Sequence, residues 1–258
     1  MQKNALFVHA RLTVGRIYGR IHGPMLEAQH ISFSWGRAPL LDDVTFSVAP
    51  GEVAVLAGAN GAGKTTLMKI LAGVMLPAAG RVMVEGFDAN VKTMRYRRMM
   101  GYMPETAPAE PDLTVKRYLA YRARLKGEMS KKIRHRVQEA ISLCGLADVE
   151  DARICLLSQG LRKRVGLADA LLLRPRFLLL DDLLAGLDAA TRTSLGRILA
   201  AVAQFAAVVV SGHELDELEA HATKFLVLKN GKVVGAKTAA GVRTLLLPPA
   251  GKEARGAK

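Results

Sequence analysis

The first regular pattern along the chain begins at Met25. "MLEAQHISFSW" partly alternates apolar with polar residues, as a half-buried strand does. A second strand is predicted in "LLDDVTFSVAPGE", stopped by Pro50-Gly51. "VAVLAG" (53–58) is continuously apolar, the pattern of a strand covered on both faces. It runs through a glycine-rich stretch into "TTLMKILAGVM", which has helical spacing and ends near Gly73. "GRVMVEG" (80–86) reads as another strand. From about residue 90 to 160 the period becomes helical and the polar positions become basic. Helices are predicted over 114–127 and 130–146, with Ser130 as N-cap and Gly145 as stop. Strand patterns return at 177–182, 206–212 and 224–235, the last folded at Asn230-Gly231 into a hairpin. The prediction is an α/β core interrupted by a helical insertion, with no internal repeat.

Composition sharpens this in three ways. At 258 residues and 50% hydrophobic, the chain has ample material for a buried core and is no disordered polymer. Only 5% is aromatic, so that core rests on aliphatic residues. The net charge is +14, which suggests an anionic partner, but the charge is not spread evenly. Residues 1–24 carry +4 and 243–258 carry +3, while 92–136 holds thirteen Lys/Arg against four acids. The body outside these segments is nearly neutral. Cys144 and Cys155 are too few for a disulfide scaffold and fit a reducing compartment. The longest uncharged apolar stretch, Ile198–Val210, is thirteen residues and contains Gln204, too short to span a bilayer. His9 and Arg11 break any signal-peptide core near the start. A role at a membrane would therefore need a membrane domain on another chain.

Two motifs carry chemistry. Gly58-Ala59-Asn60-Gly61-Ala62-Gly63-Lys64-Thr65 matches G-x-x-x-x-G-K-[ST] between a predicted strand and a predicted helix. Its glycines let backbone N–H groups turn inward around phosphate oxygens, and the following helix adds its positive end. Lys64 is expected at the β- and γ-phosphates, Thr65 on Mg²⁺, and Thr66 at the α-phosphate. Phe177-Leu178-Leu179-Leu180-Asp181-Asp182 is a buried strand ending in two carboxylates. Asp181 is expected to hold Mg²⁺ mainly through water, and Asp182 to orient the attacking water.

Between these motifs, "LSQGLRKRVGLADALLLRPRFLLLDD" sets a Ser and a Gly at a helix start ahead of the acidic strand. In this order of motifs the chain resembles the ATP-binding cassette (ABC) ATPases, from Met25 to about Gly235. The resemblance implies a P-loop NTPase (RecA-like) α/β core, an N-terminal antiparallel β subdomain and an inserted α-helical subdomain. It implies ATP and Mg²⁺ as cofactors. Ser158 and Gly160 take the signature positions that bind the γ-phosphate held by a second subunit. Trp35 takes the adenine-stacking place, and Asp188 lies in the loop that crosses the dimer interface. Glu105, in "GYMPE", stands at the Q-loop position, facing metal, water and membrane subunit; some exporter ATPases carry Glu there. His213, in "VVVSGHE", matches the switch histidine at the γ-phosphate. Expected partners are an integral membrane transporter subunit and a second ABC ATPase, as homodimer or heterodimer, with no nucleic acid. The expected location is the cytoplasmic face of the cell membrane.

Several positions depart from the family pattern. Asp182 stands where active relatives have Glu. Leu183, Leu184 and Ala185 replace Pro, Thr and Ser, Gln159 replaces the first signature Gly, and Leu161 stands where Gln is common. These changes leave nucleotide binding intact and point to slow hydrolysis. The leading reading is an exporter's ATP-hydrolysing subunit. The alternatives are a hydrolysis-impaired switch subunit of a heterodimer and a soluble, nucleic-acid-associated ABC ATPase. The expected division is an extension at 1–24 that precedes a natural start at Met25, a cassette at 25–240, and a basic disordered tail at 241–258.

Overall fold

A computed structural model of the chain describes residues 25–89, 91, 93–106, 110–213 and 215–247. The extension 1–24 and residues 248–258 lie outside the described residues. The chain begins with β1 (Leu26–Trp35) and β2 (Ala38–Val48), then β3 (Val53–Gly58) and α1 (Lys64–Leu71). β4 (Ala79–Val84), β5 (Phe87–Asp88), α2 (Thr93–Met99) and β6 (Met100–Met103) come after them. Three helices come next: α3 (Val115–Leu125), α4 (Ser130–Cys144) and α5 (Gln159–Leu171). The rest is β7 (Phe177–Leu180), α6 (Ala189–Ala203), β8 (Ala207–Ser211), α7 (Leu215–Glu219), β9 (Lys224–Lys229), β10 (Lys232–Ala236) and α8 (Ala239–Leu246).

The strands form two sheets. One is antiparallel and ordered β2-β1-β4-β5. The other has six strands, ordered β10-β9-β3-β8-β7-β6. In it β9, β3, β8, β7 and β6 are mutually parallel, and β10 closes the edge as an antiparallel hairpin. Strands β3, β7 and β8 are buried at every position, so both faces of the sheet are covered. Their side chains divide with period two. Val55, Leu178, Leu180, Val208 and Val210 pack toward the helices. Leu56, Phe177, Leu179, Ala207 and Val209 pack toward α1 and the antiparallel sheet.

The helical segment is tied by ion pairs as well as by apolar contacts. Asp169 on α5 receives Arg122 and Lys126 from the end of α3 and the residue after it. Thr114 caps α3, accepting from Arg117 N, and Gly145 ends α4 at φ 63°. The cap expected at Ser130 falls one residue earlier. Ser130 is the first helical residue, Met129 is the N-cap, and the Glu128 carboxylate accepts from Met129 N.

Two features differ from the sequence expectation. β6 lies within the 90–160 segment predicted helical, yet it pairs parallel with β7 and belongs to the core sheet. The tail expected to be disordered from 241 begins inside α8. That helix is capped by Thr238 and buries Ala239 and Val242, and Lys229 binds the carbonyls of Leu245 in its last turn and Leu247 at its C-cap.

Candidate nucleotide-binding site

Parallel strands end at a common edge of the sheet, so the loops leaving those ends lie side by side. The segment Gly58–Thr65 runs from the last residue of β3 into α1, the pair after β7 is Asp181-Asp182, His213 follows β8, and Glu105 follows β6. The four segments far apart in sequence therefore converge where the sequence expected a phosphate site.

The loop has the backbone of an anion cradle. Gly61 and Gly63 take φ of 77° and 102°, conformations that side-chain-bearing residues resist. At Gly58, a Cβ would stand 2.7 Å from the Leu228 carbonyl of neighbouring β9, so only glycine fits. Lys64 opens α1 and folds back over the loop. Its Nζ donates to the carbonyls of Gly58 (2.8 Å) and Ala59 (3.1 Å), and lies 3.2 Å from His213 Nε2. Burial lowers the Lys64 pKa, and the charges of Asp182, Asp181 and Glu105 oppose that shift. All three expected carboxylates thus act on the lysine of the loop.

Asp181 is 1% exposed. Its Oδ1 accepts from Ser211 Oγ at 2.6 Å, and its Oδ2 is buried with no hydrogen-bond partner. An orphaned carboxylate oxygen is costly unless a donor or cation meets it. Nearby Tyr102 has its pKa pushed up to about 12 by burial and then by the Asp181 charge. Among the described residues, no three His, Cys, Asp or Glu side chains cluster as a metal cage. Mg²⁺ keeps water and borrows phosphate oxygens around one or two protein groups, for which a carboxylate and a hydroxyl are suitable donors. Thr65, at the start of α1, and Asp181 fit that role.

Asp182 is held from both sides. Its N–H donates to Ser211 Oγ (3.0 Å) and Ser211 O (3.2 Å), and its carbonyl accepts from Lys163 Nζ at 2.8 Å. Its φ is 54°, a left-handed conformation for a non-glycine residue. Leu183 and Leu184, at the positions that depart from the family pattern, are buried in the core.

Trp35 ends β1 at the hairpin tip, 59% exposed, with its ring edge-on to Phe33 at 5.2 Å. The hairpin rests on the loop: a Cβ on Gly63 would meet Leu40 and Leu41 at 3.0 and 3.2 Å. Trp35 is thus exposed on the same hairpin whose second strand packs against the loop at Gly63.

The signature residues have other neighbours. Ser158 caps α5, accepting from Leu161 N. Asp188 caps α6, accepting from Thr191 N (2.9 Å) and Thr191 Oγ1 (2.7 Å). Thr191 in turn packs where a Cβ of Gly160 would be, and Gln159 covers Gly186. Ser158, Gly160 and Asp188 thus form one surface made by two helix starts, while Lys64, Asp181, Asp182, Glu105 and His213 form another group.

Sequence reasoning missed two site residues. Ser211 links Asp181 to Asp182, and its signal was a polar residue closing the apolar run "AVVVS". Lys163 gave no signal, because the Glu105 and Asp182 groups it binds are backbone carbonyls.

Comparisons with known proteins bear on the family and the fold. The family model described as ABC transporter matches residues 41–185, more than half of the chain. This chain belongs to the ABC transporter family. The cassette is 31% identical over 209 residues to the uncharacterized ABC transporter ATP-binding protein YxlF of Bacillus subtilis, covering 81% of this chain and 69% of that protein. It is 32% identical over 210 residues to the sulfate/thiosulfate import ATP-binding protein CysA of Synechococcus elongatus, covering 81% of this chain and 61% of that protein. A solved structure of an ATP-binding subunit of an ABC transporter superposes with a TM-score of 0.75 at 29% identity, covering 86% of this chain and 92% of that one. The ABC fold of the cassette is thereby established, with its antiparallel sheet and its helical part.

Proposed function

We propose that this cassette binds ATP with Mg²⁺ at Gly58–Thr65, hydrolyses it, and powers export through a separate membrane subunit. The observation that carries the reading is the buried, unpartnered Oδ2 of Asp181 beside a lysine-bearing glycine loop. Lys64 exchanges its loop carbonyls for β- and γ-phosphate oxygens, and the loop N–H groups, with Asn60 and Thr66, hold the rest of the chain of phosphates. Thr65 and Asp181 hold the metal, which neutralises phosphate charge when bound. Glu105 supplies a further carboxylate toward that metal and water. Asp182 orients the attacking water, and His213, already beside Lys64, contacts the γ-phosphate. Trp35 stacks on adenine.

Ser158, Gly160 and Asp188 form a surface of their own, which suits a head-to-tail pair of cassettes. Each ATP is then covered by the partner's signature helix start, whose N–H groups favour an anion. Nucleotide shifts the pair toward the closed arrangement, and loss of phosphate releases it. Export is supported by Glu105 at the Q-loop position; a relative named for import makes direction the point to test. No helix among the described residues is long and apolar enough to cross a membrane. The proposed role as a transporter's ATPase subunit sets the cassette at the cytoplasmic face, docked on an integral subunit.

A second reading rests on Asp182: a slow nucleotide switch paired with a more active cassette. Affinity purification from native membranes tests both. The expected result is a multi-spanning protein that raises phosphate release by the tagged chain, an effect lost in Lys64→Ala. A co-purifying second ABC ATPase that carries all turnover would favour the switch. Salt-sensitive binding to DNA with no membrane protein recovered would contradict both.

A further inference from the structure

The helix that begins at the signature reaches back into the hydrolytic site through one side chain. Lys163 lies on α5, five residues beyond Ser158, and is only 6% exposed. Lysine is rarely buried this deeply unless its ammonium is well bound. Its Nζ donates to the Asp182 carbonyl at 2.8 Å and to the Glu105 carbonyl at 3.3 Å. These two carbonyls lie just beyond the ends of β7 and β6, which pair side by side. One ammonium therefore clasps the two strand ends that carry Asp182 and Glu105.

The clasp acts on a strained residue. Asp182 holds φ 54°, a conformation that costs a non-glycine residue free energy unless the surroundings impose it. Ser211 fixes its N–H side, at 3.0 and 3.2 Å, and Lys163 fixes its carbonyl side. Without Lys163, the peptide following Asp182 has one restraint fewer, and the direction of the carboxylate is less defined.

We propose that Lys163 is a positioning residue: it aims the Asp182 carboxylate and makes that aim depend on where α5 sits. Because α5 also carries Ser158 and Gly160, a shift of the signature helix start is passed by a single rigid helix to the hydrolytic carboxylate. This rests on the reading above that Asp182 orients the attacking water. In this role Lys163 acts through the Asp182 and Glu105 carbonyls it binds.

Phosphate release and fluorescent ATP-analogue binding are measured on the full chain for wild type, K163M, K163Q, K163R and D182N. K163M should lower kcat by about tenfold or more while nucleotide Kd stays within about threefold, the split expected when positioning is lost and binding is kept. K163R, which keeps a long cationic donor, should regain most of the rate. K163Q, with a shorter neutral donor, should fall between, and it serves if methionine prevents folding. A kcat for K163M within about twofold of wild type, in the series where D182N loses turnover, would overturn the proposal. So would a Kd that rises well beyond threefold as kcat falls, with no rescue by K163R. Wild-type turnover in D182N would instead remove the role of Asp182, and the proposal with it.

Discussion

On the proposal that Asp182 orients the attacking water, Asp182→Glu lengthens that side chain by one methylene while its backbone stays pinned. The pins are the Ser211 contacts at 3.0 and 3.2 Å on the N–H side and the Lys163 contact at 2.8 Å on the carbonyl side. The backbone cannot advance to compensate for a short side chain, so reach is set by side-chain length. One added carbon–carbon bond extends that reach by about 1.5 Å. Misplacing a catalytic group by about 1 Å costs on the order of 10²-fold. Asp182→Glu should therefore raise turnover by about 10- to 100-fold, or about 1.4–2.7 kcal/mol in the barrier. The assay is phosphate release at saturating Mg-ATP, with nucleotide Kd measured alongside. A rate that is unchanged or lower, at unchanged Kd, would show that reach is not limiting and place the cause of any slowness elsewhere, for example at Leu183 and Leu184.

Trp35 is the only tryptophan, so its fluorescence should change when ATP binds, and Trp35→Ala should raise Kd by about 2- to 30-fold, the equivalent of a lost stacking contact of about 0.5–2 kcal/mol. An ATP titration that leaves the emission and the Kd unaltered would remove the indole from the site. Burial pushes the Cys144 thiol up to about 12, with Arg164 opposing, whereas Cys155 is exposed. A thiol reagent should therefore titrate one cysteine per native chain and two in denaturant; two at equal rates would contradict the packing of α4. Leu178 is wholly buried in β7, and Leu178→Ala should cost about 2–5 kcal/mol, seen as a lower denaturation midpoint with an unchanged slope.

The sequence made the site largely legible because its strands are buried on both faces. Runs such as "VAVLAG" and "FLLL" have no polar face, so they mark the central strands and, at their ends, the chemistry. β6 escaped detection for the opposite reason. "MGYM" is short, carries a glycine and sits in a basic stretch; its strand state comes from pairing with β7. Gly101 is there because a Cβ would stand 2.4 Å from the Ala170 carbonyl of α5. The clasp by Lys163 was equally hidden, since its carbonyl partners are 19 and 58 residues away. The basic surplus of 92–136 also changed meaning. Read from sequence, it counts as charge available to an anionic partner. Part of it is used inside the fold, where Arg122 and Lys126 reach Asp169, Arg136 reaches Glu128, and Lys116 reaches Glu150.

If the proposed function holds, ATP is bound and cleaved at the lysine-bearing loop and the two carboxylates beyond β7. Phosphate release from Mg-ATP by the purified full chain, compared with Lys64→Ala and Asp181→Asn, tests this most directly. The wild type should show saturable release, Lys64→Ala should lose tight ATP binding, and Asp181→Asn should lose Mg²⁺-dependent turnover. A wild-type chain that neither retains nor cleaves ATP would contradict the assignment, as would release that both substitutions leave intact.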